Sequence, residues 1–147
     1  MSKSDFVVRF AGEGGQGVVT SAEGLAQACG QVGYHVQTFA TFPSQIMGGP
    51  TWTQTRVSTK PVLSYGDELH VLVAFNEEAY QNHKSEVSED GVIIYNTGEF
   101  DLEGDSKSFG MPFDELAKST GNSRAANMVV IGALAYLVNM PQSILEE

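Results

Sequence analysis

The chain is poor in the residues that several kinds of chemistry require. Among its 147 residues there is a single cysteine, Cys29. An iron–sulfur cluster or a cysteine-based zinc site needs several thiolates, so neither is built from this chain alone. Basic residues are also scarce, 8 against 18 acidic ones, for a formal net charge of −10. With no basic run to neutralise phosphates, nucleic acid is excluded as a partner. No apolar stretch is long enough for a membrane span, and the amino terminus MSKSDF lacks the apolar core of a secretory signal, so a cytoplasmic protein with no membrane partner is expected. The sequence has neither a G-x-S-x-G nor a G-x-x-x-x-G-K-[ST] motif, which removes the main supports for serine hydrolase and P-loop readings.

Glycine is not scarce. The segment RFAGEGGQGV places Gly12, Gly14 and Gly17 on G-x-G-x-x-G spacing, between an apolar run, Phe6 to Phe10, and a segment in which Val18, Ala22, Leu25, Ala26, Cys29 and Val32 recur at helical spacing. Glycines at such a turn let the backbone approach a ligand, and free N–H groups at a helix start attract anions. A dinucleotide site also asks for an acidic residue about 20 positions on, at the end of the second strand. Here the second strand, His35 to Thr41, runs into Phe42-Pro43-Ser44 without a carboxylate. Two readings of the loop stay open: a ligand cradle, or a turn whose glycines permit close packing.

Further along, Thr51 to Ser58 predicts a third strand with one face toward solvent or a partner, and Val62 to Tyr65 a short fourth. His70 to Phe75 and Gly91 to Asn96 read as buried strands, with Asn76-Glu77-Glu78 starting a helix between them. The acidic stretch Glu99 to Asp105 lacks the spacing of a calcium loop and reads as a solvated connection, and no metal site is predicted. His35, His70 and His83 share no ligand spacing. Phe113 to Ala117 predicts a short helix, and Asn122 to Val138 one that is apolar nearly all round and therefore buried on more than one side. The alternation predicts a single α/β domain, Rossmann-like, with a mostly parallel sheet and helices on both faces. The turn Ser143 to Glu147 reads as the start of a further helix, as in a piece of a longer polypeptide.

Three elements in order carry a family resemblance: Gly12, Gly14, Gly15, Gln16 and Gly17; then Gly48, Gly49 and Pro50; then Asn127, Met128, Gly132 and Ala133. Together they resemble the gamma domain of the 2-oxoacid:ferredoxin oxidoreductases. The segment SQIMGGP is similar to the version fused to the front of the alpha subunit in 2-oxoglutarate-type enzymes. The resemblance implies CoA-dependent oxidative decarboxylation of a 2-oxoacid by a complex. Thiamine diphosphate, Mg2+ and [4Fe-4S] clusters are then expected on alpha and beta partner domains or subunits, with ferredoxin as electron acceptor. It also implies that this chain holds none of those groups, has no catalytic residue, and contacts coenzyme A through Gly12, Gly14, Gly15, Gln16, Gly17, Ser44, Gly48, Gly49, Pro50 and Thr51. The loop around Gly48 and Gly49 is expected to face a partner, so that Gly49→Val would leave the domain folded. The competing reading is an independent NAD(P)- or flavin-binding domain.

Overall fold

A computed structural model of the chain describes residues 4–42, 48–122 and 125–137. The expected positions Ser44 and 143–147 lie outside the described residues. Six strands, β1 (Asp5–Glu13), β2 (His35–Thr41), β3 (Pro50–Ser58), β4 (Leu69–Ala74), β5 (Val87–Asn96) and β6 (Ser108–Met111), form one sheet in the order β2-β3-β1-β4-β5-β6. Pairing is parallel from β1 through β4 and β5 to β6 and antiparallel on both sides of β3. Only β3 therefore runs against the rest, and the sheet is mostly parallel.

Helices α1 (Val18–Gln31) and α4 (Ala126–Leu137) cover one face with α3 (Phe113–Ser119), burying Phe6, Val8, Phe10, Leu25, Cys29, Ile131 and Leu134. On the other face α2 (Glu77–His83) lays Ala79 and Tyr80 against Val7, Leu72, Ala74 and Ile93. Asn76 accepts from the Ala79 N–H at 2.8 Å and so caps α2, as its position ahead of Glu77-Glu78 predicts. The Cys29 thiol is buried, and desolvation pushes its pKa up to about 12, so it is a packing residue without thiolate character.

Two expectations need correction. β3 does not turn its middle toward solvent: Thr53 and Thr55 lie under α1, while Gln54, 2% exposed, sits on the other face in a polar network around Arg9. Arg9 Nε and Nη2 donate to Gln54 Oε1 at 3.0 and 2.7 Å, Nη1 reaches Glu86 at 2.6 Å, and the guanidinium stacks 4.3 Å from the Trp52 ring centroid. A buried guanidinium needs such partners, which is why β3 carries polar residues without being an edge. Residues 62–65 form no strand; the Tyr65 and Gly66 carbonyls instead accept from Gln54 Nε2, and Leu63 is 99% exposed. β6 is a strand that the residue pattern does not announce.

Several carboxylates make the fold sensitive to acid. A hydrogen bond from Arg56 holds Asp5 below the usual carboxylate range. For Asp105, hydrogen bonds from the Ser108 hydroxyl and the Lys107 N–H do the same. At Glu86 burial acts upward, and contacts to His83 and Arg9 more than offset it. Each depressed group contributes stability that is present above its unfolded pKa and lost as pH falls through its folded value. The melting temperature is therefore expected to hold near neutrality and drop below about pH 4. Asp5→Asn should flatten that drop; an acid limb equally steep in the variant would remove Asp5 from the account.

Candidate ligand cleft at the glycine loop

The C-terminal ends of β1 and β4 meet where the chain leaves β1 toward α1 on one side and β4 toward α2 on the other. In open α/β sheets ligands bind at such a switch point. A cleft of about 880 Å³ opens there. One wall is the loop from Glu13 to Gly17 with the first turn of α1, and another is Gly48 with Thr51. Phe75, Asn96 and Phe113 also line it, and Asn127 of α4 lines it beside Gly17.

Each glycine of the loop has its own reason. Gly12 lies inside β1, paired with Thr51, where a Cβ would come within 2.9 Å of Phe75 Cβ. Gly17 has φ 89°, and a Cβ there would collide with Asn127 Oδ1, so the side chain of α4 sits directly on it. This contact joins the first and third elements of the family pattern. Gly14 and Gly15 differ: a Cβ on either would meet nothing within 4 Å among the described residues. Gly15, at φ 94°, supplies the left-handed turn.

Gln16 is not turned to a ligand through its carbonyl. Its Oε1 accepts from the Glu13 N–H at 2.7 Å and from Asn76 Nδ2 at 2.9 Å, pinning the loop to the start of α2. Helix α1 has no side-chain cap, and its first i→i−4 bond runs from the Ser21 N–H to the Gly17 carbonyl. The N–H groups of Gly17 to Thr20 thus lack intrahelical acceptors at the cleft wall. Thr51 Oγ1 is committed to the Thr41 carbonyl at 2.6 Å, so this residue lines the cleft with its hydroxyl engaged.

Of the expected site residues, Gly14, Gly15, Gln16, Gly17, Gly48 and Thr51 line the cleft together. Gly12, Gly49 and Pro50 are not among its lining residues. Gly49 has φ 89°, so a valine placed there is strained by about 1–2 kcal/mol, and Gly49→Val is expected to melt lower than the parent. Glu13, Asn96, Glu99 and Asp114 also line the cleft, and no motif marks them in the sequence. Their only signal is position at or just past the C-terminal end of a strand, and that becomes informative once the strand order is known.

The sequence profile of the pyruvate ferredoxin/flavodoxin oxidoreductase family matches residues 7–147. The chain belongs to that family. It is 33% identical over 133 residues to the ketoisovalerate oxidoreductase subunit VorA of Methanothermobacter marburgensis, covering 88% of this chain and 28% of that subunit. A 2-oxoglutarate:ferredoxin oxidoreductase from Magnetococcus marinus, solved with 2-oxoglutarate, coenzyme A and succinyl-CoA bound, is 36% identical with a TM-score of 0.82. That alignment covers 98% of this chain and 26% of the other. The gamma subunit of a keto/oxoacid ferredoxin oxidoreductase from Geobacter sulfurreducens shares the fold, with a TM-score of 0.83 at 22% identity over 98% of this chain and 82% of that one. The chain thus spans about a quarter of the first two relatives, and the family domain is what it shares with them. No helix among the described residues is long and apolar enough to cross a membrane.

Proposed function

We propose that this chain works in the cytoplasm as the gamma domain of a 2-oxoacid:ferredoxin oxidoreductase, assisting the CoA-dependent oxidative decarboxylation of a 2-oxoacid, 2-oxoglutarate first, with electrons passing to ferredoxin. The observation that carries this reading is the 36% identity across 98% of the chain to a protein solved with 2-oxoglutarate, coenzyme A and succinyl-CoA. The same similarity supports the fused form, in which residues 1–147 are the first part of an alpha subunit. Thiamine diphosphate, Mg2+ and the [4Fe-4S] clusters belong to partner domains, since one buried cysteine cannot ligate a cluster. This chain supplies a wall of the space in which the acyl group meets coenzyme A. The open positions at Gly14 and Gly15 and the free N–H groups of α1 are its contact points.

An independent dinucleotide-binding role finds no support at the end of β2, where Thr41 and Phe42 stand in place of the ribose-binding acid. Native mass spectrometry of the tagged chain purified from its own cells tests the choice. The expected result is association with thiamine-enzyme subunits; a chain carrying stoichiometric NAD(P) or flavin and no partner would overturn the proposal.

A further inference from the structure

The two edges of the sheet are built differently. At one end β6 has four residues and runs straight into Pro112, so it offers little backbone to another chain. At the other end β2 has seven residues in unbroken register with β3, from His35 opposite Ser58 to Thr41 opposite Trp52. No described strand pairs with its outer side. Edge strands are commonly guarded against further pairing by lysine, proline, charge or a bulge, and HVQTFAT has none of these. The surroundings are as bare. From Val18 to Phe42, through α1 and β2, the only charged side chain is Glu23, in a chain with 18 acidic and 8 basic residues. Large apolar side chains are exposed along the same edge: Val32 just ahead of β2, Phe39 within it and Phe42 at its end. Phe39 is held by a stack on Tyr65, itself exposed, with ring centroids 4.7 Å apart.

We propose that this edge is an interface between two copies of the chain, in which β2 of one adds antiparallel to β2 of the other and joins the two sheets into one. Strand, helix and charge all fit a copy. Full overlap of the seven residues puts Thr38, the middle one, opposite itself, a favourable cross-strand pair. Val36 then faces Ala40 of the second copy on the α1 side, and Gln37 faces its Phe39 on the other. No like charges are opposed, although each chain carries a net charge of −10. The strand is about 23 Å long. With α1 on one side of the sheet and the segment around Tyr65 on the other, the contact is roughly 25 Å deep and covers on the order of 600 Å² per copy, the lower end of the range for stable pairs. The inference does not depend on the reaction that the gamma-domain reading assigns.

Cross-linking in the chain's own cells tests it. Cys29 is the only cysteine and is buried, so a new thiol reports alone. Directly opposed residues of antiparallel strands have Cα atoms about 4.5–5.5 Å apart, within disulfide range. Thr38→Cys, treated with a mild thiol oxidant, should form a covalent pair of this chain, and Gln81→Cys, exposed on α2, should not. Sedimentation of the purified chain gives a second measurement. Thr38→Lys and Thr38→Glu should each weaken the pair at least about tenfold, because like charges meet at the centre, and an equal mixture of the two should associate again. Recovery in the mixture also shows that both variants are folded. A parent chain that sediments as a monomer, charge variants that pair as well as the parent, or a Thr38→Cys thiol that links only to a different polypeptide would overturn the proposal. The gamma-domain reading stands under any of these outcomes.

Discussion

Gly17→Ala should lower the melting temperature of the chain by roughly 4–20 °C. Two costs combine at this position. The residue holds φ 89°, a left-handed conformation that costs an L side chain about 1–2 kcal/mol. The new methyl would also run into Asn127 Oδ1 and fall 3.0 Å from its Cγ, an overpacking worth about 1–3 kcal/mol. Their sum, about 2–5 kcal/mol, converts at roughly 2–4 °C per kcal/mol for a domain of this size. Removing the obstructing side chain separates the two. In Gly17→Ala/Asn127→Ala the steric part should be recovered and the conformational part should remain, giving a coupling of about 1 kcal/mol or more between the sites. A Gly17→Ala chain that melts with the parent would mean that α4 does not rest on the glycine loop. The structural link between the first and third elements of the family pattern would then be lost.

The second large effect is on binding and leaves the fold alone. A Cβ at Gly14 would meet nothing within 4 Å among the described residues, and the residue does not use the left-handed region, so Gly14→Val should melt within about 0.5 kcal/mol of the parent. In the assembled enzyme the same valine should keep a ligand from the N–H groups of Gly17 to Thr20. One or two hydrogen bonds to those donors are worth about 1–3 kcal/mol together, or roughly 5- to 140-fold in the apparent KM for coenzyme A. The KM for the 2-oxoacid should change by less than about twofold, because the proposed function puts the reaction of the 2-oxoacid on a partner domain. Equal changes in both constants would point to altered subunit packing. Gly15→Ala is the poorer probe, since its φ of 94° adds backbone strain to any effect on binding.

Much of the frame is legible in the residue pattern because it depends on local periodicity. The apolar spacing from Val18 to Cys29 marks the buried face of α1, and the β-branched and aromatic run His35 to Thr41 has the same limits as β2. Asn76 ahead of two glutamates marks the start of α2. What local pattern does not carry is direction and partnership. Nothing in Thr51 to Ser58 says that this strand runs antiparallel, or that Gln54 is buried to satisfy Arg9, 45 positions earlier. β6 has four residues, with Phe109 and Gly110 exposed, too short for an alternation to register.

The site divides in the same way. The glycine loop stands out from its spacing, but its members separate only in three dimensions: Gly12 and Gly17 serve packing, while Gly14 and Gly15 face the cleft. Gln16 matches the family pattern and proves to be a pin between Glu13 and Asn76. Asn96 and Asp114 are brought to the cleft by the order of the strands, which depends on long-range pairing that no short segment encodes.

The central claim is that this chain completes a CoA-dependent oxidoreductase and does no chemistry alone. Its most direct test is 2-oxoacid-dependent viologen reduction by the catalytic thiamine and cluster-bearing domains, assayed with and without residues 1–147. The account predicts no turnover by this chain alone, and CoA-dependent turnover by the catalytic domains that falls when it is omitted and returns when it is added back. Turnover by the purified chain without partners, or full CoA-dependent activity in its absence, would contradict it.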